Sequence, residues 1–186
     1  STASNQTTYT WTPTNDIENA DVLMVAGGGA GGCDNAGGGG AGGLIFKPEH
    51  TMSGFQTITV GAGGAATPNQ QTTPEKGNDT TLGSLTAKGG GYGSSGNATT
   101  VASNGIVGGS GGGGDGESAI PTGGSSSQSS QLGDSGTYGY GNSGGNGESA
   151  QGAGGGGGGA GTSGANGSSV TNEVGGVGGD GLKEVT

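Results

Sequence analysis

Apolar residues gather in the first half of the chain, in short runs that alternate with polar positions. Residues 8–12 read Thr-Tyr-Thr-Trp-Thr, an alternation with the period of a strand. Residues 21–26 carry Val22, Leu23, Met24 and Val25 in succession, as a buried strand does. Residues 44–46, 55–60 and 82–88 supply three further strand patterns. Together they predict a small antiparallel β part within residues 1–88. No stretch holds apolar residues at i, i+3 and i+4 for long enough to form an α-helix. From residue 89 the pattern fades into Gly, Ser, Asn, Ala and Thr, with isolated Val, Ile, Leu and Tyr.

Composition explains the fading. Of 186 residues, 54 are glycine and five are proline. Val, Leu, Ile and Phe together number 22, well short of the roughly 20% that an ordinary core needs. Ordering a residue costs about 1.5 kcal/mol, and so few large side chains cannot offset that. Such a chain is disordered unless something other than side-chain burial holds it. Backbone hydrogen bonding is the remaining source. Collagen is excluded, because glycine does not recur at every third position and proline is scarce.

A polyproline-type helix meets the need. It has three residues per turn and no internal hydrogen bonds, so its N–H and C=O groups point outward to neighbours. Glycine alone lets such backbones approach on all sides. The glycine runs cover residues 27–32, 37–43, 61–64, 89–96, 108–116, 133–147, 152–167 and 175–181. The expected fold is a small antiparallel β subdomain (1–88) merged with a polyglycine II bundle (89–186), as one composite domain over 1–186 with essentially no α-helix. Close backbone packing is expected at Gly28, Gly40, Gly112, Gly157 and Gly178.

Chemistry is sparse. Residues 22–32 read as a strand followed by G-x-G-x-x-G, but no helix pattern follows, so no dipole would hold a pyrophosphate. Residues 175–183 match one copy of a calcium β-roll repeat around Asp180. That site needs tandem copies, so the simpler reading is a last glycine pass and a closing strand over 182–185. His50 is the only histidine and is placed beside Glu49 in a loop. Asp115 and Glu117 read as exposed loop acids, although the pair has the spacing to share a cation. Cys33 stands alone and reads as a small buried side chain. Asn5, Asn78, Asn97 and Asn166 head Asn-X-Ser/Thr triplets, which mark surface turns. A net charge of -10 opposes nucleic-acid binding. The apolar run at Val22 is far shorter than the roughly 20 residues that span a bilayer. The expectation is a chain with no enzymatic activity, no cofactor and no metal. It starts on Ser1, as a processed chain or a piece of a longer one would.

The order of these features resembles a known family. Tyr9-Thr-Trp-Thr-Pro13 is followed by Ala20-Asp-Val-Leu-Met-Val-Ala and three glycines. The run 37–43 then leads into Leu44-Ile45-Phe46, and Ile58-Thr-Val60 into 61–64. Residues 77–91 run from Gly-Asn-Asp-Thr-Thr-Leu to a glycine triplet. This resembles the glycine-rich domain of phage tail-fibre and virion-appendage proteins and of marine bacterial surface proteins. It is also similar to the extracellular glycine-rich region of anaplastic lymphoma kinase receptors. The detailed likeness covers about residues 9–91; the remainder is similar in composition only.

The resemblance implies a rigid module outside the cell or on a virion surface that stiffens a fibre or displays variable loops to a host receptor or glycan. The loops to watch are 67–76, 121–131 and 137–140, with Asn69, Gln70, Gln128, Tyr138 and Tyr140. A solvated turn is the simpler reading of each. Two alternatives stay open: a subunit of a self-assembling extracellular filament, and an ice-binding protein, whose threonine steps read as irregular in this sequence.

Overall fold

The computed structural model describes residues 7–69, 72–96, 104–117, 121–128, 139–148, 152–168 and 174–183. It is all-β: seven strands form two antiparallel sheets, and no α-helix occurs among the described residues. Strands β1 (Thr7–Trp11), β4 (Gln56–Val60), β5 (Thr80–Leu82) and β6 (Leu85–Ala87) form the first sheet, in the order β1-β4-β5-β6. Strands β2 (Ile17–Val25), β3 (Leu44–Met52) and β7 (Gly139–Tyr140) form the second. The β part and the lack of α-helix follow the sequence pattern.

Alternation sets the core. Val22 and Met24 from β2 and Ile45 from β3 meet Leu82, Leu85 and Ala87 from the β5–β6 hairpin. Strand β1 lies at the far edge of its sheet and overhangs this core, with all five residues exposed.

Several elements differ from the pattern. The strand expected over 82–88 is a hairpin, turned at Gly83 with φ 54°. A side chain is strained in that left-handed region, and glycine is not. Strand β3 runs on past Pro48 to Met52. Strand β7 pairs with Leu44 and Ile45 and does not reach Pro48, so no bond to β7 is lost at a residue without an N–H. His50 is therefore not in a loop. It is half-buried in β3 opposite Ala20, beside an irregularity where Asn19 and Glu49 adopt positive φ. Residues 184–186 lie outside the described residues, and Leu182 and Lys183 form no strand.

The glycine runs form passes joined by backbone hydrogen bonds, which along 37–43 recur with a period of three. Gly37, Gly40 and Gly43 donate to the carbonyls of Ser94, Gly91 and Lys88 at 2.7–2.9 Å. Their neighbours Gly38 and Ala41 turn to a different pass and donate to Gly155 and Gly158. Cβ atoms built on Gly39 and Gly42 would strike a third pass, at the carbonyl oxygens of Gly29 and Ala26. Hydrogen-bond partners along this pass thus change with a period of three. The most enclosed pass, 109–116, is buried throughout. It donates to Gly89, Ala41, Asn142, Gly38 and Gly145, on three different passes. Passes from the first 88 residues thus interleave with later ones.

Among the described glycines only Gly54, Gly83 and Gly152 have positive φ. Glycine serves here by lacking a Cβ. At Gly40, Gly112 and Gly157 an added Cβ would lie 2.0–2.3 Å from a carbonyl oxygen of a neighbouring pass. Gly28 and Gly178 do not fit the expectation of close packing. Both are exposed, and the nearest atom to a Cβ there is 3.7 and 3.9 Å away, ordinary contact. They lie on outward sides of the outer passes.

Candidate functional site

The residues expected in display loops take varied places. Asn69 is exposed, and its Oδ1 accepts the Thr72 hydroxyl at 2.8 Å. Gln70 and Tyr138 lie outside the described residues. Tyr140 is not in a loop tip: it is half-buried in β7 and pairs with Leu44. Gln128 is also not in a loop. Residues 121–128 form another glycine-type pass, bonded to 105–112 and to 144–147. Gln128 is buried, and its Oε1 accepts the Lys88 N–H at 2.7 Å. An exposed amide was expected because nothing in the local sequence shows that a backbone N–H elsewhere needs an acceptor.

The acids are placed by backbone needs. Asp115 is only 1% exposed, and its Oδ1 accepts the Glu117 N–H at 3.0 Å. Glu117 in turn accepts from Asn35 Nδ2 at 2.6 Å. The expected exposed pair is thus one buried and one exposed acid at the end of the bundle. Asp180 sits on the last pass, where its N–H donates to Thr162 Oγ1 and its carbonyl accepts from Gly161. No group of three or more His, Cys, Asp or Glu side chains converges as a metal site among the described residues. Cys33 is free and half-buried, and its N–H donates to Ser95 Oγ.

One open cleft of about 480 Å³ joins the β part to the passes. Lys76, Asn78, Asp79, Lys88, Val107 and Ser127 line it. Two of the chain's four lysines therefore meet in one place. Lys88 Nζ donates to Asp79 Oδ2 at 2.8 Å, and the Gly89 N–H donates to Oδ1 at 2.8 Å. Burial works against the Asp79 charge. The Lys88 ammonium, the Gly89 N–H and the nearby Lys76 outweigh it and hold the carboxyl below its usual range. The arrangement is a polar, weakly cationic groove with an exposed amide and hydroxyl. The pairing of Asp79 with Lys88 was invisible in sequence because it depends on the hairpin between them.

The solvent face of the first sheet carries a second regular feature. Thr8 is opposite Thr59, Thr59 opposite Thr81, and Thr81 opposite Thr86, one threonine on each of four strands. Thr10 opposite Thr57 begins a second row, and the Thr8 and Thr59 hydroxyls lie 3.4 Å apart. The linear sequence hides this order, since it arises from strand register.

A family model described as a glycine-rich domain matches residues 2–186, the whole span of sheets and passes. The chain belongs to the glycine-rich domain family. Its membership accounts for a fold whose interior is mostly backbone. No curated protein and no solved structure matches this glycine-rich domain.

Proposed function

We propose that this glycine-rich domain is a non-enzymatic structural and adhesion module, borne on a virion appendage or another extracellular fibre. Its passes act as polyglycine II helices packed in a bundle. The observation that carries the reading is the period-three backbone ladder, which holds the domain rigid with almost no side chains. A block held this way carries exposed groups at its surface, including the Lys76–Lys88 groove and the Asn69 turn, that a host receptor or glycan could contact. The resemblance to tail-fibre domains points to the same use. Light scattering with negative-stain microscopy tests it: discrete monomers or trimers are expected, and micrometre-long filaments overturn it.

Two observations favour other readings. On the last pass Gly175, Gly178 and Gly181 recur every third residue where a Cβ would meet nothing closer than 3.7 Å. Glycine is not sterically required there, and a second copy docking its own backbone on this side would explain it. That is the filament reading, decided by the same microscopy. The threonine rows favour ice binding. An ice-recrystallisation assay decides it: loss of inhibition in Thr59→Val/Thr81→Val would support it, and inactive wild type would remove it.

A further inference from the structure

The face of the first sheet that builds the core does not stop where the core stops. Ile58 on β4 pairs with Leu82 inward and with Tyr9 of β1 outward. Trp11 follows two residues along β1, about 7 Å further on the same face. Tyr9 is 57% exposed and Trp11 39% exposed. Val60, opposite Thr7, is exposed on the same face. A chain with seven aromatic residues and 22 large apolar ones has little core material to spare. Leaving two rings uncovered on one ledge calls for a contact that covers them.

Trp11 also forms one wall of a cleft of about 330 Å³, at the small end of the range for ligand sites. Residues 12–16 turn around it and present Thr12, Thr14, Asn15 and Asp16, and Ile17 closes it towards the core. Those four polar side chains make no hydrogen bond to another described residue. The lining therefore combines one aromatic wall with hydroxyl, amide and carboxylate groups and no basic side chain. A quaternary ammonium ligand would favour several aromatic rings around one point, and Trp11 is the one aromatic residue among those that line the cleft.

We propose that the Trp11 cleft and the Tyr9 ledge bind a neutral oligosaccharide. A sugar ring offers an apolar C–H face to stack on the indole and a rim of hydroxyls for Asp16, Asn15, Thr12 and Thr14. Tyr9 supplies the platform for a neighbouring sugar along the strand. This rests on the adhesion reading and moves its contact to the overhanging edge of the β part, away from the turns between passes.

The test uses the full chain on a printed array of neutral, sialylated and amino-sugar oligosaccharides. The best ligand is then titrated while the fluorescence of Trp11, the only tryptophan, is followed. Binding of neutral glycans is expected, with a saturable spectral shift of Trp11. Asp16→Asn should weaken it at least tenfold, and Tyr9→Ala/Trp11→Ala should abolish it by calorimetry. Should that double variant misfold, Asp16→Asn and the wild-type fluorescence still decide. Binding without a Trp11 signal, binding unchanged in Asp16→Asn or the double variant, or binding confined to acidic glycans overturns the site and leaves the adhesion reading standing. No binding to any array member overturns the site and counts against glycan adhesion as a whole.

Discussion

The Thr80 hydroxyl donates to the carbonyl of Val25 at 2.9 Å and ties the two sheets together. The same oxygen accepts the Gly61 N–H at 2.9 Å, where β4 passes into a glycine run. Thr80 is 6% exposed, so both bonds are made at a buried hydroxyl. Thr80→Val keeps the shape and removes both bonds. Leaving buried backbone groups unpaired costs about 1–3 kcal/mol each. Chemical denaturation should show a loss of that order, and an unchanged midpoint would mean that water replaces the hydroxyl.

Glycines separate into two classes that melting can distinguish. At Gly157 a Cβ would lie 2.0 Å from the Gly39 carbonyl oxygen, and at Gly112 it would lie 2.0 Å from that of Tyr92. Backbone cannot move aside as a side chain can. Gly157→Ala and Gly112→Ala should each cost about 3 kcal/mol or more. Gly28→Ala and Gly178→Ala have room and no positive φ. They should be neutral or stabilise by about 0.4–1 kcal/mol, through the unfolded chain. Equal melting of all four variants would sink the close-packed account.

Acid should act in two steps. Burial, then the charge of Lys47, holds the His50 pKa below its ordinary 6.5. The unfolded chain therefore takes up that proton first as pH falls. Stability present above about pH 6.5 declines as pH drops towards the lowered value. Asp79 is also held low, below its ordinary 3.8. Its contribution is present above that value and is lost as pH falls through the lowered one. His50→Gln should remove the first step and Asp79→Asn the second. Stability measured from pH 8 to pH 2 checks both, and a single step untouched by either variant would contradict the assignment.

Gln128 gives a test at the junction of sheet and bundle. Its Oε1 takes the Lys88 N–H at 2.7 Å, and a Cβ on Gly43 would overlap that oxygen. Gln128→Leu should cost about 1–3 kcal/mol and speed hydrogen exchange at Lys88. Wild-type exchange at that amide would show that the bond is not made in solution.

These positions also mark where the sequence was legible. The apolar run at Val22–Val25 and the patterns at 55–60 and 82–88 showed strands, but the run read as wholly buried, whereas Leu23 and Val25 are exposed and only Val22 and Met24 face the core. The short turn at Gly83-Ser84 was read through as one strand, since two three-residue strands are too brief to show a period. Gln128 and Asp115 were misplaced outward, because polar side chains normally face water, whereas these serve backbone groups brought from far along the chain. Trp11 was read only as part of a strand. That the strand overhangs the core depends on sheet order, which local pattern does not contain.

The rotation of partners along 37–43 has a consequence for how this molecule can change. Under the proposed polyglycine II packing, inserting one residue into a pass turns everything beyond it by a third of a revolution, and each donor then faces the wrong neighbour. Inserting three restores every facing and only lengthens the rod. Length variation inside a pass should therefore come in whole turns, nine bases of gene at a time, while the connections at its ends are free to vary by single codons.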